Sequence, residues 1–597
     1  MNNMSQTKKN NGIRGSVSDV ILASLLFLFP FIHIGVGIDV TDSAYNLLNF
    51  MSFPHMNRTW AISTFLANVI GHAFTKLPFG HTMLAMEIYC MILCNAFVVL
   101  FYVFLKKQYP KFAVFTGLLL AQGFAWCPRV ILYHYLSYYL FATGAALLLT
   151  AIKTGKKYLY AVAGGVLALN VFVRFPNVVE CTLIVVLFLY GILEKKNIIK
   201  EFLLCIGGYL AVFLLGIAVV SLLFGISAFP DMIHSLFGMT SEATSYAPKA
   251  MLKTIFGDYL RYVKPLLPML GLAVLGAPAL AFAKKNKIRI PILLLMGLLF
   301  GVVMRVLYYF GFFNFNFIDY RSIYMWGTFV LMIAIFYSVY NLFSKTVPID
   351  RKLFGAAVLV IIFITPIGSN NGLYTALNNL YFVAPFVIGE LVSGIDKEKI
   401  AEIKEEKTTR LWWGVFSFRA VGMMIAVMAF VSGICFGTDF VYRDESFIRG
   451  KFTIVRDNPV LAGCRTGVSN AADLQEVNDY LNQNGLKHKG AVAYGFIPGF
   501  LYYFEEECVL THSWPGLDSF PMEELKRDLN AVGTSGELPV FFYAGTFPDL
   551  TVCNMEELEN EKQKVFAGFL REHGYREVLR NGRYVICLPE EAAADIR

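Results

Sequence analysis

Between residues 18 and 437 the chain repeats one pattern: long runs of mostly apolar residues, separated by short polar breaks. A helix needs roughly 20 such residues to cross about 30 Å of hydrocarbon, and a soluble domain cannot bury so many in succession. Thirteen segments qualify, at approximately 18–36, 82–105, 112–128, 131–152, 158–174, 178–193, 202–227, 262–283, 290–310, 322–342, 353–367, 376–393 and 417–437. With 56% hydrophobic residues, 16% charged residues and a mean hydropathy of +0.56, the chain reads as a polytopic α-helical membrane protein of about thirteen transmembrane helices.

Charge sets the expected orientation. With a cytoplasmic amino terminus, the inner loops hold 25 Lys and Arg and the outer loops nine, with Arg305 left inside a span. This asymmetry follows the positive-inside rule at nearly every loop. The carboxyl terminus is then extracytoplasmic, in a multi-pass protein of the cell membrane. The first apolar run lacks an A-x-A cleavage pattern and is read as a retained helix rather than a signal peptide.

The expected domains are a membrane domain, 1–437, with a first outer loop at about 37–81, and an extracytoplasmic domain, 438–597. The first carries a net charge of +17 and the second −9, which together make the chain's +8. In the tail, "GAVAYGF", "LPVFFYAGT" and "RYVICLP" read as buried strands. "NAADLQEVNDYLNQNG" and "NEKQKVFAGFLREHG" have helical spacing and end in glycine. Alternating helix and strand predicts a small soluble α/β fold. Cys464, Cys508, Cys553 and Cys587 permit disulfides there without requiring them.

The first apolar run ends in "GIDVTDSAYNLLNF", which sets Asp39 and Asp42 at the water interface. Aspartate before a helix is a favoured cap, and that is the simplest account of the pair. The rest of the loop adds to it: "WAISTFLANVIGHAFTKL" has an apolar face opposite Ser63, Thr64, Asn68, His72 and Lys76, so it should lie flat in the headgroup layer. An acidic pair therefore guards a membrane-surface platform.

These features resemble the type C glycosyltransferase superfamily, which uses polyprenyl-phosphate sugars and includes protein O-mannosyltransferases and aminoarabinose transferases. The resemblance rests on an acid at the outer end of the first span, Tyr45 three residues after Asp42, interfacial helices, about a dozen spans and an outer carboxy-terminal domain. Asp42 is followed by Ser43 rather than by a second acid, and the spacing to Tyr45 favours Asp42 over Asp39 for the catalytic role. The resemblance implies a polyprenyl-phosphate-sugar donor and an acceptor hydroxyl on a surface glycan, lipid or protein. It implies inversion with an Asp general base, a role worth roughly 10²- to 10⁴-fold. The expected partners also include membrane lipids and exclude nucleic acid. No cofactor is expected with certainty; a divalent cation held jointly by Asp39 and Asp42 is the one candidate.

A departing lipid phosphate needs positive charge, and arginine supplies a bidentate fork. Candidates near outer span ends are Arg129, Arg174, Arg305 and Arg321, ranked with Arg174 and Arg305 first and with Asp319 as a partner for Arg305. For any one of them the simpler account is snorkelling to lipid headgroups. Candidate substrate-binding residues are Tyr45, His55, Arg58, Tyr133, His134, Asn370 and Asn371; the last two, in "SNNG", are equally explained by turn chemistry. A transporter should display two related halves with interrupted spans, and no internal repeat is detected. A glycan polymerase or ligase should carry its main polar loop late in the chain, whereas here the first loop holds the acids.

Overall fold

The structure, a computed structural model, describes residues 17–242, 247–285, 288–393, 409–517, 520–544 and 560–594. Lys8, Lys9, Arg14, Lys287, the basic residues from Lys397 to Lys407, and Cys553 lie outside them. The protein is a helical membrane bundle followed by a strand-containing α/β region.

Each of the thirteen expected segments is helical, but their number as full spans is not reproduced: among the described residues eight helices are long and apolar enough to cross a membrane, or up to nine if one bent pair counts as a span. The bent pair, Gly372–Asn379 and Val383–Ser393, turns by 69° and replaces the straight span expected at 376–393. Non-helical backbone at membrane depth survives only where protein covers it, and the first half-helix is almost wholly buried. Val17–His33, Lys111–Phe124, Lys157–Val173 and Ile349–Ile364 fall short of a full crossing. The first of these tightens into a 3₁₀ turn, Phe29–His33, where Pro30 removes a backbone donor. Conversely, Pro248–Lys285 runs for 38 residues and overshoots the expected 262–283 span. Leu222, Ile226 and Ile290, each more than 70% exposed, belong to a lipid-facing apolar surface.

Loops assigned to one side by charge do lie at one end of the bundle. Lys106 and Lys111 reach Asp19 at 2.9 and 3.7 Å, Lys153 pairs with Asp350 at 3.6 Å, and Tyr109 donates to Glu390 at 2.9 Å. At the other end Asn378 accepts from the Trp126 backbone at 2.9 Å, and Arg174 donates to the Gly368 carbonyl. We predict that the Asp42 end faces outward. Cysteine at the exposed position Gln483 should then react with an impermeant maleimide on intact cells, in a background without the native cysteines. Cysteine at exposed Lys107 should react only after permeabilisation; the reverse pattern inverts the orientation.

The carboxy-terminal region has a two-stranded ladder, β1 (Phe452–Thr453) with β2 (Thr466–Gly467), and a five-stranded sheet. The sheet comprises β3 (Gly490–Tyr494), β4 (Glu507–Cys508), β5 (Val540–Ala544), β6 (Tyr575–Arg580) and β7 (Tyr584–Pro589), in the order β4-β3-β5-β7-β6. β3 runs parallel to β4 and β5, whereas β7 runs antiparallel to β5 and β6. The expected strands are β3, β5 and β7, and the expected helices are Val468–Gln483 and Glu561–Glu572. Alternation along these strands serves two cores. Ala491, Ala493, Phe542 and Ile586 join the core that continues into the membrane bundle, while Val492, Tyr494, Phe541, Val585 and Cys587 face a separate core containing Leu529 and Phe566. The sheet thus shares one hydrophobic core with the bundle.

Candidate active site

The Asp42–Ser52 helix begins where the first membrane helix has ended and the chain has crossed an irregular stretch, Gly35–Val40. Asp39 is 3% exposed, and its carboxylate accepts from the Thr41 N–H at 2.9 Å, the Thr41 hydroxyl, and the Ser43 N–H at 2.7 Å. It therefore caps the helix start, using both oxygens. Burial pushes the Asp39 carboxyl above its ordinary range, with the nearby Asp42 adding to the rise and these hydrogen bonds opposing it.

Asp42, at the first helical position, is half-buried. Its Oδ2 accepts from the Tyr442 hydroxyl at 2.7 Å and faces the Thr41 hydroxyl at 3.4 Å. Cys127, Tyr320 and Arg443 lie close enough for the Asp42 charge to act on them. Arg443 is exposed, sits 5.7 Å over the Tyr442 ring, and occupies the left-handed region at φ 57°, an uncommon conformation for a residue with a side chain. Two cavities lie near Asp42, the smaller reached through its partner Tyr442 and the larger lined by its own helix. One, of about 130 Å³, is lined by His33, Glu87, Trp126, Cys127, Arg129 and Tyr442 among others. The other is a groove of about 990 Å³ between the first loop and the carboxy-terminal region, walled by Tyr45, His55, Arg58, His72, Lys76 and His512 among others.

Tyr45 follows Asp42 by one helical turn and enters the groove beside His512, with its hydroxyl 3.4 Å from Nε2. Burial holds His512 down to about 3, so it is neutral. Its Nδ1 accepts from the Trp514 backbone N–H at 3.0 Å, which leaves the proton on Nε2, pointing at Tyr45.

The expected phosphate ligands scatter. Arg129 is 8% exposed, donates to the Tyr139 hydroxyl at 2.6 Å and stacks 4.7 Å over Tyr135, though it reaches the smaller cavity. Arg174 caps the Lys157–Val173 helix and is tied to Gly368, near His134. Arg305 is exposed and lies 5.6 Å over Tyr308. Its expected partner Asp319 instead binds Arg321 at 2.7 Å, because the turn through the single intervening residue, Tyr320, brings that guanidinium back onto the carboxylate. Arg321 is thereby engaged locally.

His55 and Arg58 share the groove with Tyr45; Arg58 donates to the Phe224 carbonyl at 2.7 Å. The Tyr133 and His134 rings meet at 4.3 Å, tilted by 32°, in a separate cluster toward Arg174. Asn370 and Asn371 are exposed, and the Asn371 N–H donates to Ser369, which is turn chemistry. The residues that sequence reasoning missed are Tyr442, Arg443, Cys127 and His512. "VYRD", just past the last span, is a tyrosine and an arginine at a water interface, and it fell on the soluble side of the expected boundary at 437.

A cation shared by Asp39 and Asp42 does not fit the donor set. Both Asp39 oxygens already accept hydrogen bonds from their own turn, whereas hard cations take about six oxygens. Among the described residues no group of three or more His, Cys, Asp or Glu converges as a metal site.

No family model matches the sequence, and no curated protein matches it. Among solved structures, the chain is similar to the Archaeoglobus fulgidus oligosaccharyltransferase in complex with Zn and sulfate, with 13% identity over 70% of this chain and a TM-score of 0.37; it spans about half of that protein's length, 53%. It is also similar to ArnT from Cupriavidus metallidurans bound to undecaprenyl phosphate, with 12% identity, a TM-score of 0.40, and coverage of 96% of this chain and 97% of that one. Likeness at this level assigns no residue a role.

Proposed function

We propose that the protein is a membrane glycosyltransferase that moves a sugar from a polyprenyl-phosphate donor to an acceptor hydroxyl at the outer face of the membrane, with inversion. The observation that carries this reading is the setting of Asp42: a half-buried carboxylate, oriented by Tyr442, which lines the smaller cavity, beside the cation Arg443 and one helical turn before Tyr45, which lines the groove.

Asp42 accepts the proton of the acceptor hydroxyl as that oxygen attacks the anomeric carbon. Tyr442 donates to Oδ2, which fixes the carboxylate plane and leaves Oδ1 for the incoming proton. The bond from the anomeric carbon to the phosphate oxygen breaks on the opposite face, and the polyprenyl phosphate leaves as an anion that needs charge rather than a proton. Arg443 supplies that charge with a bidentate fork. The smaller cavity, with Trp126, Glu87 and His33, offers the ring face and hydrogen-bonding groups that a sugar requires. The acceptor enters by the groove, past Tyr45 and His512.

The test is incubation of purified protein in lipid with a panel of polyprenyl-phosphate sugars. Release of polyprenyl phosphate that depends on Asp42 is the expected result. No release from any donor in the panel removes the reading.

A further inference from the structure

The irregular stretch Gly35–Val40 makes no helix or sheet of its own, so its backbone polar groups need partners from elsewhere. The Gly35 N–H donates to Glu87 at 2.8 Å and the Val36 N–H to the His33 carbonyl at 2.9 Å, but most of the partners come from the carboxy-terminal region, more than 400 residues away. The Arg465 N–H donates to the Gly35 carbonyl at 2.8 Å, and its own carbonyl accepts from the Gly37 N–H at 2.8 Å. The Asn470 side chain reaches the Ile38 carbonyl at 3.4 Å. The Tyr503 hydroxyl donates to the Asp39 carbonyl at 2.6 Å, and the Gly499 N–H donates to the Val40 carbonyl at 2.9 Å. Ile38, Asp39 and Val40 are consecutive, and the next residue but one after Val40 is Asp42.

The contact is close-packed as well as hydrogen-bonded. The Gly499–Tyr503 helix lies directly on the Asp42–Ser52 helix, and a Cβ at Gly499 would stand 2.4 Å from the Ala44 Cβ. Tyr503 is fully buried. Asn470 is itself held, since its Oδ1 accepts from Arg583 at 2.9 Å and from Tyr584 at 3.2 Å. The holding groups are therefore fixed to β7 and the core of the sheet.

We infer that the carboxy-terminal domain is part of the active site: Tyr503 and Asn470, with the Arg465 and Gly499 backbone, hold Gly35–Val40 in the position that aims Asp42. This inference rests on the glycosyl-transfer reading above. Tyr503 and Asn470 are positioning residues, not catalytic ones; they touch the main chain that carries Asp42. A displacement of about 1 Å at a reacting group costs on the order of 10²-fold in rate, so loss of one anchor should be felt in kcat.

The experiment uses full-length protein in lipid discs and a polyprenyl-phosphate hexose from the panel, read as polyprenyl phosphate released. Tyr503→Phe and Asn470→Ala should each lower kcat by about tenfold with donor KM within about twofold. In an Asp42→Asn background the same changes should lower the residual rate by less than about twofold, since they act through Asp42. Leu529→Ala, in the separate core on the far face of the sheet, should reduce thermal stability and leave kcat near that of the unaltered protein. Assays run well below each variant's melting temperature keep unfolding out of the comparison. The inference is overturned if Tyr503→Phe and Asn470→Ala retain full kcat while Asp42→Asn loses it. It is equally overturned if their effects persist undiminished in the Asp42→Asn background. Full turnover in Asp42→Asn itself removes the glycosyl-transfer reading, and this inference with it.

Discussion

Asp42→Asn should lower turnover by about 10²-fold or more while the melting temperature barely moves. The amide oxygen still accepts from Tyr442, and the residue is not the cap of its helix, so little of the fold depends on its charge. What disappears is the proton acceptor. Asp39→Asn should behave oppositely. Asp39 is buried and uses both oxygens on Thr41 and Ser43. An amide keeps only one acceptor, so a buried N–H or hydroxyl loses its partner at a cost of about 1–3 kcal/mol. The melting temperature should drop, and activity should fall only as far as the loop loosens. Thermal unfolding and single-turnover kinetics on both variants separate the roles. A large kinetic loss in Asp39→Asn at unchanged stability, with Asp42→Asn active, moves the base to Asp39.

The two aspartates illustrate what this sequence discloses. Their proximity to a span end was visible in "GIDVTDSAYNLLNF", as was the helix that starts at Asp42, because capping and apolar periodicity are local properties. The same holds for β3, β5 and β7, whose apolar runs are bounded by turn residues. The division of labour between the acids was not visible, since it depends on which one meets Tyr442, 400 residues later. Likewise, His512 reaches Tyr45 across 467 residues, and no spacing rule connects positions so far apart. Charge patterning found cations near span ends, but Arg305 lies on an exposed face and Arg321 is spent on Asp319. The count of thirteen full spans is not reproduced among the described residues for a related reason. Hydropathy reads composition, whereas helix length is set by Pro30 and by the break at residues 380–382, which neighbouring helices stabilise.

Arg443 gives the second large effect, and its backbone makes the test clean. At φ 57° a side chain strains the chain, whereas glycine adopts that conformation freely. Arg443→Gly therefore deletes the guanidinium without adding backbone strain, and the folded protein should melt at the same temperature or slightly higher. If Arg443 stabilises the departing phosphate, the loss falls on the transition state, where the bond to that oxygen is breaking and its charge grows. Removing one such preorganised donor costs about 10²- to 10³-fold in kcat. Donor KM should change much less, because the ground-state phosphodiester already has its charge spread over two oxygens. Arg443→Lys should recover part of the rate, as a point charge replaces two parallel hydrogen bonds. The signature is thus a fall in kcat that lysine partly repairs, at constant or improved stability. Normal kcat in Arg443→Gly would leave the phosphate to Arg129 or Arg174. Arg129 borders the smaller cavity, and Arg174 would have to release Gly368 before it could serve.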